Sequence, residues 1–145
     1  MTPFANDTII VPWDFSDMSR EALKKAVEIA GGATERIEVV HVTPYPSTVE
    51  PSIVWGTYTE EEISAKLIES FRKEVGDEYQ DLNFTARFGD PGAGIAKFAE
   101  SKNAGLVVIS SHGRRGIPWL LLGSVAERVV RLSPCPVLVL REKKE

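Results

Sequence analysis

Cysteine is almost missing from this chain and histidine nearly so: Cys135 stands alone, and His41 and His112 are the two imidazoles. A lone thiol cannot close an internal bridge, which points to a reducing, cytoplasmic setting. One thiol and two imidazoles also make a zinc centre a poor fit. Long hydrophobic runs are absent, since the longest, such as 106–109 and 137–140, fall far short of a bilayer span. Residues 1–7 lack the basic and apolar regions of a secretory signal. An excess of positive charge is lacking too. Lys and Arg number 17 against 21 Asp and Glu, a net charge of −4, which argues against nucleic acid as a partner. There is no P-loop lysine pattern and no acidic pair poised for magnesium. Gly92-Ala93-Gly94 is not the Gly-x-Gly-x-x-Gly of a first βα turn, so a dinucleotide dehydrogenase fits poorly.

What is present is regular alternation. The 145 residues are of single-domain length and can bury a hydrophobic core without metals or disulfides. Five short apolar runs, 8–12, 37–42, 82–88, 106–110 and 137–140, read as strands. The first, fourth and fifth are nearly continuous in apolar character, as strands covered on both faces are. The third alternates, with Leu82, Phe84, Ala86 and Phe88 on one side, and reads as an edge strand. Between them lie helical patterns. One covers 16–31 and starts at Ser16, Asp17 or Ser19. A second covers 59–75, opened by the capping-box pattern Thr59-Glu60-Glu61-Glu62. A third opens at Asp90-Pro91, with Gly105 expected as its left-handed cap. The last opens at Ser124, expected as its cap, and closes at Ser133-Pro134. The order βαβαβαβαβ predicts an α/β domain: an open five-stranded parallel sheet with helices on both faces and right-handed crossovers, Rossmann-like in the broad sense; the strand order is taken to be 3-2-1-4-5. The stretch 43–58, rich in proline and aromatics, reads equally as a variable insertion or as a lid or interface.

In open sheets of this kind ligands bind beyond the carboxyl ends of the strands where the order reverses, here between strands one and four. After strand one comes Pro12-Trp13-Asp14-Phe15-Ser16, and after strand four Ser110-Ser111-His112-Gly113-Arg114-Arg115-Gly116. The second segment suits phosphate. Its glycines permit close approach, Arg114 and Arg115 carry charge, and Gly123-Ser124 opens a helix whose first amides and dipole favour an anion. Asp14 can accept from ribose hydroxyls, while Val42 and Ile109 offer apolar surface to a base.

Val11-Pro12-Trp13-Asp14-Phe15-Ser16, His41-Val42, Ile109-Ser110-Ser111-His112-Gly113, Leu122-Gly123-Ser124-Val125 and Cys135-Pro136-Val137-Leu138-Val139, in this order, resemble the universal stress protein family over nearly the whole chain. The resemblance is to its ATP-binding branch, which carries Gly-x-x-Gly, nine residues, then Gly-Ser or Gly-Thr. Gly113 and Gly123-Ser124 match, with nine residues between them, and Ser110 replaces the first glycine. The resemblance implies an adenine nucleotide alpha hydrolase-like fold. It also implies that Asp14 contacts ribose, that Val42 lies against adenine, and that Gly113, Gly123 and Ser124 bind phosphate. The ligand is expected to be ATP, or AMP or ADP, with or without magnesium. The candidate binding set is Pro12, Trp13, Asp14, Val42, Ile109, Ser110, His112, Gly113, Arg114, Gly123, Ser124 and Val125. A homodimer through antiparallel pairing of 137–140 is implied as well, and a protein partner of unknown identity is expected.

Several of these residues have plainer readings. Asp14 can be a turn or cap residue. Trp13 can pack over a base or shield the loop, and Trp119 can touch a partner subunit. His112 fixes its loop or neighbours phosphate, because nothing forms a triad with it. His41 reads as a satisfied structural histidine, Cys135 as a turn thiol, and at least one of Arg114 and Arg115 as a solvated turn residue. A nucleotide-binding regulatory module with no catalytic residue ranks first. A nucleotide-free interaction protein, motivated by Ser110, ranks second. A slow ATPase or self-phosphorylating protein using Ser110, Ser111 or Ser124 ranks third.

Overall fold

The computed structural model describes residues 4, 7–45, 59–112 and 122–141. Five strands, β1 (Ile9–Pro12), β2 (Ile37–Thr43), β3 (Asn83–Phe88), β4 (Leu106–Ser110) and β5 (Val137–Leu140), form one parallel sheet in the order β3-β2-β1-β4-β5. Between them run α1 (Asp17–Ile29), α2 (Glu60–Val75), α3 (Pro91–Ser101) and α4 (Ser124–Leu132). Two single turns of tighter helix, Thr34–Arg36 and Gly76–Tyr79, were not legible in the apolar periodicity.

The sheet is covered twice. Ile9, Val11, Ile37, Val39 and Val108 pack under Ala22, Leu23 and Ala26 of α1 and Phe71 of α2. Ile10, Val40, Val107 and Ile109 pack under Ile95 and Phe98 of α3 and Ala126 and Val129 of α4. Strand side chains alternate between the faces, so β1 feeds both cores at once. Each fully buried large apolar side chain contributes about 1.5–3 kcal/mol of transfer free energy. Gly94 lets α3 approach β2 closely, because a Cβ there would stand 2.8 Å from Val42 Cγ1.

Two helix ends differ from expectation. Gly105 is not the left-handed residue after α3. Asn103 is, at φ 50°, a conformation its short polar side chain tolerates. Gly105 is a glycine for space, since a Cβ there would overlap the Asp7 carboxylate. Ser124 is not the cap of α4. Gly123 holds that position, without a side-chain hydrogen bond, and Ser124 is the first helical residue. The other expected caps are in place. Thr59 Oγ1 accepts from the Glu62 amide at 3.1 Å and Asp90 Oδ2 from the Ala93 amide at 3.0 Å.

Candidate functional site

β1 pairs with β2 along all four of its residues, but its registered pairing with β4 ends at Ile10–Val107. That end lies at the point of reversed strand order where a ligand crevice is expected. The residues flanking it are Pro12 to Ser16 on one side and Ser110 to His112 on the other.

On the β1 side, Pro12 is the last strand residue, buried, with no amide to offer. The Trp13 amide donates to Val40 O at 2.8 Å. The Trp13 indole is 2% exposed, packed edge-on against Phe71 at 5.1 Å and Phe15 at 6.0 Å. It lies in the α1/α2 core rather than over a base, and strand alternation accounts for this: Trp13 continues the face of Ile9 and Val11. Of the two readings of Trp13, packing over a base or shielding the loop, the burial agrees with the second, and the indole N–H is buried without a hydrogen-bond partner. Phe15 takes φ 65°, a left-handed conformation that costs a non-glycine residue about 1–3 kcal/mol and clusters at functional turns. Asp14 Oδ1 accepts from the Ser16 amide at 3.0 Å and from Ser16 Oγ, and Ser16 Oγ in turn accepts from the Ser19 amide at 3.1 Å. Ser16, not Asp14, therefore caps α1. Asp14 is half-buried and orders the turn through one carboxylate oxygen.

On the β4 side, Ser110 and Ser111 are buried. The Ser110 hydroxyl donates to His112 O at 3.0 Å, so the residue standing for the motif glycine tightens its own turn. The Gly123 amide donates to Ser111 O at 2.6 Å, docking the start of α4 onto the end of β4. A Cβ on Gly123 would stand 3.0 Å from that same oxygen and 3.5 Å from His112 Cα, so glycine is what the approach admits. His112 Nδ1 faces Ser111 Oγ at 3.4 Å, while its Nε2 is buried without a hydrogen-bond partner. A buried polar atom without a partner is rare and calls for an explanation. Val42 and Ile109 are buried on the α3/α4 face at the ends of their strands, and Ser124 and Val125 are exposed in the first turn of α4. Gly113 and Arg114, with Arg115, Gly116 and Trp119, lie outside the described residues, as do residues 46–58.

The donor set fits a phosphorylated ligand. A helix start with no side-chain cap, a glycine at the closest approach and an unpartnered imidazole nitrogen converge at one strand end. Among the described residues no group of three or more His, Cys, Asp or Glu side chains is placed to hold a metal ion. Sequence reasoning treated His41 as structural; its ring bonds at 2.6 Å to Trp13 O and at 3.0 Å to Thr43 Oγ1, so it is satisfied, and it also touches the site. The signal was available, because His41 shares the strand face of Ile37 and Val39, the one on which Trp13 lies.

A doubly wound parallel α/β domain with a polar crevice at its switch point is the class that fold and site define. The chain belongs to the universal stress protein family, whose sequence model matches residues 5–141. It is 35% identical over 144 residues to universal stress protein MJ0531 of Methanocaldococcus jannaschii, across 94% of this chain and 83% of that one. It is 28% identical to universal stress protein YxiE of Bacillus subtilis, across 92% of this chain and 97% of that one. Among solved structures it is similar to MJ0577, with TM-score 0.72, 29% identity, and 97% and 99% of the two chains covered. A universal stress protein in complex with cAMP shares the fold at TM-score 0.69 and 23% identity, over 94% and 97% of the chains. No helix among the described residues is long and apolar enough to cross a membrane.

Proposed function

We propose that the protein is a cytoplasmic, dimeric regulatory module of the stress response that binds an adenine nucleotide, ATP or its relatives AMP and ADP, in the crevice between β1 and β4. The observation that carries this reading is the docking of an uncapped α4 N-terminus onto the β4 turn at Gly123, beside the buried, unpartnered His112 Nε2. The Ser124 and Val125 amides there hold the phosphates, joined by Gly113 and Arg114. Magnesium, where it binds, rides on the phosphates rather than on a protein cage. Asp14 accepts from ribose hydroxyls, and the ends of β2 and β4 at Val42 and Ile109 border the base. The cAMP complex of a protein with this fold supports an adenylate as the ligand class. Titration of the purified protein with ATP, AMP and cAMP tests the reading. Saturable binding of one of them supports it, and no binding at millimolar concentration overturns it.

Dimerisation rests on β5, which is at the sheet edge and presents Leu138 at 37% exposure, near an α4 that exposes Val130 at 48% and Leu132 at 46%. An open strand edge with apolar side chains invites antiparallel pairing with a second copy. Sedimentation is expected to show a dimer, and Leu138→Arg a monomer with native circular dichroism. A wild-type monomer at high micromolar concentration would remove the dimer from the proposal.

A further inference from the structure

Among the described residues, His41 reaches from β2 across to the turn after β1. Its Nδ1 lies 2.6 Å from Trp13 O and its Nε2 3.0 Å from Thr43 Oγ1. A carbonyl oxygen only accepts, so Nδ1 carries the proton; in the neutral ring Nε2 then accepts from the Thr43 hydroxyl. The backbone of Trp13 is therefore held on both sides of its Cα, its N–H by Val40 O at 2.8 Å and its C=O by the imidazole. The same ring packs edge-on against Phe15, with centroids 5.3 Å apart and planes at 68°. Phe15 is the residue with φ 65°. One imidazole thus grips the carbonyl of the residue before Asp14 and the ring of the residue after it. Between those two grips, the Asp14 carboxylate is turned onto Ser16.

We propose that His41 is a positioning residue for nucleotide recognition: as the Nδ1–H tautomer it brackets Asp14 and sets the direction in which that carboxylate meets the ribose hydroxyls. This rests on the nucleotide reading above. A purely structural histidine would, when replaced, change stability and leave the preference for ribose alone. A positioning histidine changes that preference.

The test compares ATP with dideoxy-ATP, which lacks both ribose hydroxyls, on wild type, His41→Leu and His41→Asn, alongside nitrogen NMR of the His41 ring and thermal unfolding of each variant. Wild type is expected to prefer ATP by about tenfold, the loss typical of one hydrogen bond to a charged group. His41→Leu is expected to lose that preference, binding both ligands alike. His41→Asn, whose side-chain amide places a donor near the position of Nδ1, is expected to restore it even if its unfolding midpoint stays lowered. The ring nitrogens are expected to report Nδ1–H. A His41→Leu protein that keeps the wild-type ratio, or a ring in the Nε2–H form, overturns the role of His41 while leaving nucleotide binding intact. Wild-type protein that binds neither ligand overturns the nucleotide reading itself, and the bracket's function with it.

Discussion

α1 and α4 both begin at carboxyl ends of strands beside the crevice, yet only α1 has its first amides met by a side chain. Ser16 Oγ accepts from the Ser19 amide, and Asp14 secures Ser16 in turn. α4 starts on Gly123 with no such bond, and next to it His112 Nε2 is buried without a partner. The β1 turn bonds within itself through Asp14, Ser16 and His41, although the Trp13 indole N–H is buried there without a partner, whereas no side chain meets the first amides of α4. An orphan amide at a helix start must find water, a side chain or a ligand. On the proposed nucleotide reading the two sides do different work: the β1 side orients the ligand, and the β4 side holds its phosphates.

Substitutions can break this contrast in graded ways. The largest expected effect is on the self-contained side. Phe71→Ala removes the ring against which Trp13 packs and is expected to cost about 3–5 kcal/mol in urea unfolding. Next, Gly123→Val pushes a branched side chain against Ser111 O and is expected to weaken ATP binding about a hundredfold, roughly 2.7 kcal/mol, while far-ultraviolet circular dichroism stays native. Unchanged affinity would place the ligand elsewhere. Ser16→Ala is expected to cost about 1 kcal/mol of stability, the worth of a lost helix cap. Ser124→Ala, which removes no cap and keeps its backbone amide, is expected to stay within about 0.5 kcal/mol and to leave ATP binding unchanged. If both serines behaved alike, the contrast between the turns would fail.

Much of this arrangement was readable from the chain. β4 and β5 match their expected limits because both are short, continuous apolar runs with sharp polar ends. The parallel sheet followed from alternation with helices; its order 3-2-1-4-5 was assumed and is the order found. Where the reading missed, local chemistry allowed two solutions. Ser124-Val125-Ala126-Glu127 has the capping-box pattern, but Gly123 precedes it and takes the cap, shifting the serine into the helix. Asn103 and Gly105 both suit a left-handed residue; packing against Asp7 decided which glycine property was in use. Trp13 was open between packing over a base and shielding its loop, because its pairing with Phe71, far along the chain, is visible only in the tertiary structure. The ends of the chain's glycine-rich segment at Ser110–His112 and Leu122–Gly123 are described, while Gly113 rests on the family pattern and Arg114 on its charge alone.

The most direct test is calorimetric titration of ATP into wild-type protein and Gly123→Val side by side. Saturable binding to the wild type, with near-complete loss in the variant, is the predicted result. Equal binding by the two proteins, or none by the wild type at millimolar ATP, would contradict the claim that α4 and the β4 turn hold the phosphates.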